Sequence, residues 1–73
     1  MVPTLDEIEI LRTRIGVDQK AMCERGDVSQ STLVRCRKAG REPTERVRRK
    51  LKAALDGIAE ERGIVVLDDQ GGR

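Results

Sequence analysis

The chain has no histidine and no aromatic residue in 73 positions, and only two cysteines and two prolines. Histidine is the side chain most used for proton transfer near neutral pH and for binding metals. No two acidic residues stand at a spacing that suggests metal or acid–base work either, so no enzymatic activity, metal or other cofactor is expected. Without Phe, Tyr or Trp there is no surface on which unpaired bases can stack, which argues against single-stranded nucleic acid as a ligand. No apolar stretch approaches the roughly 18 residues that a membrane-spanning helix needs. Asp6, Glu7 and Glu9 stand where a signal peptide would be basic, so a soluble, cytoplasmic protein is expected. Cys23 and Cys36 fall at apolar positions of the helical pattern and read as two reduced, buried thiols, since no His or further Cys completes a zinc ligand set.

Charge and shape remain. The net charge of +2 conceals an uneven distribution: residues 1–34 hold four basic and six acidic side chains, 35–52 hold nine and two, and 53–73 hold two and five. The basic block from Arg35 to Lys52 has the composition of a phosphate-facing surface. A solvated helix face has the same composition, and charge alone does not separate the two. A single domain of this size stabilises itself only marginally, so association with a second subunit is expected.

Thr4 followed by Glu7 is a capping-box pattern, after which Leu5, Ile8, Leu11 and Ile15 recur at helical spacing until Gly16. Asp18 caps a second helix, Gln19 to about Arg25, with Met22 and Cys23 facing inward. Gly26-Asp27 turns the chain, Asp being one of the few non-glycine residues that tolerate a left-handed conformation, and Val28 follows as an apolar anchor. Ser29 caps a third helix, Gln30 to about Lys38, whose inward residues are Leu33 and Cys36. Pro43 and Thr44 open a fourth, in which Val47, Leu51, Ala54, Leu55 and Ile58 form an apolar stripe and Gly57 is a weak point. Gly63 ends that helix, and Ile64-Val65-Val66-Leu67 reads as a short strand in need of a pairing partner.

Residues 19–38, with their flanking helices, resemble the Cro and phage-repressor type of helix-turn-helix domain, the xenobiotic-response-element family. The likeness covers roughly residues 5–62. It implies an all-α fold, a lambda-repressor-like four-helix bundle of helix-turn-helix type with one short C-terminal β-strand: residues 1–62 would bind DNA, and residues 63–73 would dimerise through Ile64, Val65, Val66 and Leu67. Gln19 and Gln30 stand where phage repressors often place paired glutamines, the first steadying the second. The sequence departs from its relatives at three points. Asp27 replaces the turn glycine, with Gly26 one place early, and Cys36 replaces a larger aliphatic residue. Arg37 stands where the family often has a Glu that pairs with an Arg of the first helix; with Arg12 and Arg14 on that helix, this ion pair is not expected to form.

The function implied is that of a sequence-specific double-stranded DNA-binding transcriptional regulator, a repressor or autoregulator, that reads the major groove as a homodimer on a palindromic operator. Gln30 suits adenine, Arg35 suits guanine, Ser31 suits either, and Val34 can pack on a thymine methyl. Gln19, Ser29, Lys38, Arg41 and Arg46 are the phosphate candidates. Each has a plainer reading, as a cap or a solubilising charge. The alternative from another class is an antitoxin-like or adaptor module that keeps the fold and binds a protein partner.

Overall fold

A computed structural model describes residues 2–63, which form four helices: α1 (Leu5–Ile15), α2 (Gln19–Gly26), α3 (Gln30–Ala39) and α4 (Glu45–Glu61). The expected strand Ile64–Leu67 lies outside the described residues.

Each helix begins where a side chain satisfies an otherwise unpaired backbone amide. Thr4 and Glu7 form the reciprocal capping box: the Glu7 amide donates to Thr4 Oγ1 at 3.2 Å, and the Thr4 amide donates to Glu7 Oε1 at 2.8 Å. Asp18 Oδ1 accepts from the Ala21 amide at 2.7 Å, Ser29 Oγ from the Ser31 amide and Thr44 Oγ1 from the Val47 amide, both at 3.3 Å. The first three helices also end alike. A left-handed residue follows each one, and the next amide reaches back to a carbonyl five residues earlier: Val17 to Arg12, Val28 to Cys23 and Arg41 to Cys36. Gly16 and Gly40 supply the left-handed residue at two of these ends, and Asp27, at φ 59°, supplies it at the third.

Leu51, Ala54, Leu55, Ile58 and Ala59 of α4 are buried, and α4 packs against both α1 and α2. Leu5, Ile8 and Ile15 of α1, Val17 of the following loop, Met22 and Cys23 of α2, and Leu33 of α3 complete the core. Fully burying an aliphatic side chain of this kind contributes about 1.5–3 kcal/mol, so this single cluster is the main source of stability. Leu33 is the one buried residue of α3. Val28 and Cys36, expected to point inward, are only partly covered, and Pro43 at the start of α4 is buried. No helix among the described residues is long and apolar enough to cross a membrane.

Candidate nucleic-acid interface

The turn between α2 and α3 owes its shape to two adjacent residues with different tasks. Asp27 takes the left-handed backbone, while Gly26 lies against α4: a methyl group at its Cα would stand 3.1 Å from the Lys50 carbonyl oxygen and 3.4 Å from Ala54 Cβ. The glycine that stands one place early in the sequence is therefore a packing glycine, and it lets the end of α2 approach the backbone of α4.

With only Leu33 buried, most of the α3 surface is free. Gln30, Ser31, Val34, Arg35 and Lys38 are all exposed, and at about 100° per residue they share the side of the helix away from Leu33 and Cys36. Val34 is 43% exposed, one of two large hydrophobic residues left open to solvent among the described residues. The Ser31 hydroxyl shares a 2.7 Å hydrogen bond with that of Ser29, so both serines are engaged in closing the start of α3.

Arg41 follows in the loop to α4, and Arg46 lies in the first turn of that helix; both are exposed. The loop is tied down beside them. Glu42 Oε1 accepts the Leu5 amide at 2.8 Å, which caps α1 from a distant part of the chain, and Arg48 donates to the carbonyls of Pro43 at 3.1 Å and Pro3 at 3.0 Å.

Ion pairing divides the nine cations of the block in two. Arg37, Arg48, Arg49 and Lys52 have carboxylates within 4.0 Å, namely Glu9, Glu42, Glu45 and Asp56. Among the described residues, Arg35, Lys38, Arg41, Arg46 and Lys50 make no such pair. Four of these five are the cations that the sequence assigns to bases or phosphates. Lys50, which the sequence leaves undistinguished from its neighbours on α4, joins them.

At Arg37 the sequence excludes the family's pair of an α3 acid with an α1 arginine, and the structure shows a different one. An ion pair does link α3 to α1, with its polarity reversed: Arg37 Nη2 lies 3.0 Å from Glu9 Oε2, and the other oxygen of Glu9 takes Arg12 at 2.7 Å. The sequence reading sought an acid on α3 and a base on α1, and so passed over Glu9, which faces both arginines. Arg37 Nη1 also donates to Gln19 Oε1 at 2.8 Å. Gln19 thus reaches α3 through Arg37, and among the described residues it makes no hydrogen bond to Gln30.

Below this surface, Cys23 is buried, and its thiol is raised above its ordinary value first by burial and then by Glu9, so it stays protonated at neutral pH. At the opposite end of α4, Arg25 lies across Gly57 and forms a two-pronged pair with Glu61; this holds the Glu61 carboxyl below its ordinary value. A methyl group at Gly57 would stand 2.8 Å from the Arg25 guanidinium, so the helix's weak point is also the path of that side chain. Among the described residues, no group of three or more Cys, Asp or Glu side chains is placed to hold a metal ion. No protein-family model, no curated protein and no solved structure matches the chain.

Proposed function

We propose that the chain is a helix-turn-helix protein that binds double-stranded DNA in a sequence-specific manner and regulates transcription as a repressor or autoregulator. One observation carries the reading: within a block of nine cations, those without a carboxylate partner among the described residues are Arg35 and Lys38 on the open side of α3, Arg41 in the next loop, and Arg46 and Lys50 on α4. A phosphate-facing surface needs unneutralised charge, and these five cations supply it on α3, the next loop and α4.

In this reading α3 enters the major groove. Gln30 bonds adenine, Arg35 bonds guanine and Val34 packs on a thymine methyl, each good bidentate pair supplying about 1–3 kcal/mol of discrimination. Ser31, already bonded to Ser29, contributes to bases or phosphates through the remaining valence of its hydroxyl. Lys38, Arg41 and Arg46 hold phosphates, together with Ser29 and the amides at the start of α3, and these contacts set register. Two copies joined through Ile64–Leu67 would meet the two halves of a palindromic operator.

Selection from random duplexes at moderate salt tests this directly. A single enriched, palindromic motif is expected. Two protomers making three phosphate contacts each should lose about a thousandfold in affinity between about 50 and 200 mM salt. Failure to enrich any motif overturns the reading and leaves a protein-binding adaptor as its successor. Sedimentation should give twice the monomer mass, and Val65→Lys or Val66→Lys should halve it; a monomeric unmodified chain overturns the dimer.

A further inference from the structure

α3 is attached to the rest of the molecule differently from the other three helices. Its apolar anchor is Leu33, the one residue it buries, and Thr32 and Cys36 beside it are only partly covered. By contrast α1 buries three residues, α2 two and α4 five. The C-terminal half of α3 is held by charge. Arg37 lies 3.0 Å from Glu9 Oε2 on α1 and donates to Gln19 Oε1 on α2 at 2.8 Å, so one guanidinium joins three helices. Glu9 Oε2 is covered and accepts no hydrogen bond among the described residues, which leaves the Arg37 charge to balance it.

These two kinds of attachment do not open at the same cost. Drawing the apolar residues of α4 into water forfeits their burial with nothing in return. Separating Arg37 from Glu9 gives both ions back their hydration, which offsets much of the lost attraction, and the Arg37 side chain is already 41% exposed. Short non-helical segments, residues 27–29 and 40–44, flank α3 and can absorb its movement.

We propose that α3 is a hinged element that leaves the core of α1, α2 and α4 as a unit, at a lower free energy than global unfolding, with Glu9 as its latch. The helix that carries Gln30, Val34, Arg35 and Lys38 is thereby the part of the fold that moves most readily. Such opening is a property of the free chain and owes nothing to what α3 binds. Sodium chloride screens the latch and has little hold on Leu33, so added salt shifts α3 toward its open form.

Native-state hydrogen exchange of the full chain in low urea tests this. The amides of Val34 to Lys38 should be at least about tenfold less protected than those of Leu51 to Leu55, with a shallower dependence on urea, because opening α3 exposes less surface than unfolding. One protection level and one urea slope for both helices would overturn the proposal. Gly26→Ala strains a contact between α2 and α4 that survives the opening of α3, so it should lower protection in α4 about fivefold and leave α3 unchanged. Equal losses in both helices would show that α3 opens only with the whole fold, which also overturns it. Glu9→Gln and Arg37→Met should each speed exchange in α3 about fivefold and flatten its dependence on sodium chloride, and the double variant should lose little more than either alone. Additive losses, or a salt dependence that persists without Glu9, overturn Glu9 as the latch.

Discussion

α3 and α4 draw on the same basic block but are built to opposite plans. α4 has 17 residues and buries five of them; α3 has 10 and buries one. Of the five cations of α4, Arg49 is paired with Glu45 and Lys52 with Asp56 one turn away on the same helix, and Arg48 with Glu42 in the preceding loop, so that helix spends most of its charge close to its own surface. On α3, the one paired cation is Arg37, whose partner Glu9 lies on α1, and Arg35 and Lys38 have no carboxylate partner among the described residues. A helix that supports a fold and a helix that presents a surface can share a composition. What separates them is where the counter-charges lie.

The largest expected effect falls on the supporting helix. Leu55→Ala removes a fully buried side chain of α4 and should cost about 2–5 kcal/mol, enough to unfold a domain of this size; loss of the helical circular dichroism signal at 25 °C checks it. On the presenting helix, Gln30→Ala or Arg35→Ala should leave the melting temperature nearly unchanged and lower discrimination at one base pair by about 1–3 kcal/mol, measured by competition between operator variants. If either variant unfolds the protein, α3 is not the open surface described above.

The two helical glycines sharpen the same contrast. Gly26→Ala sets a methyl group against the Lys50 carbonyl, a rigid backbone atom, and should destabilise by about 1 kcal/mol or more. Gly57→Ala meets only the end of the exposed Arg25 side chain and should stabilise by up to about 1 kcal/mol as helix propensity improves. Urea denaturation of both variants compares them; equal signs would contradict the packing assigned to Gly26.

Much of this was legible in the sequence, and the boundary of legibility is physical. Thr4, Asp18, Ser29 and Thr44 cap within three residues of themselves, so their local spacing was enough to place the four helix starts. The apolar stripes of α1 and α4 were readable for the same reason. Contacts between distant segments were not. Glu42 reaches Leu5 across 37 positions, and Arg25 reaches Glu61 across 36. In a chain with 28 charged residues, any acid has many candidate partners, and only the fold selects one. Gly26 was misread for a related reason: beside Asp27 it looked like half of a turn, and its neighbour on α4 was invisible. The exposed side of α3 followed from periodicity, but which cations on it are unpaired did not.

Smaller effects test the division of charge. Arg41→Ala, which removes one phosphate contact from each protomer of the proposed dimer, should reduce the slope of log affinity against log salt by about two, while Arg49→Ala, whose charge is already balanced by Glu45, should leave it nearly unchanged. Equal slopes would erase the distinction between paired and unpaired cations. The smallest effect concerns Glu61. Its carboxyl is held by Arg25 below the ordinary value of 4.5, so its contribution is present above that pH and is lost as pH falls through the lowered value. Glu61→Gln should therefore flatten the acid limb of the thermal stability profile below about pH 4.5 and leave the neutral region almost untouched; an unaltered limb would show the pair contributes nothing to folding.

The reversed pair between Glu9 and Arg37 has a consequence for exchange of parts. A recognition helix is the natural piece to transplant when a binding preference is to be moved from one protein to another. In the reading proposed above that piece is α3, and it carries an arginine whose acid lies on α1. Grafted alone into a scaffold with arginine at the facing position, α3 would bring two guanidinium groups together with no carboxylate between them. In the opposite exchange, an acidic donor helix would face Glu9. The first and third helices of this chain are thus a matched set, and they can change hands only together.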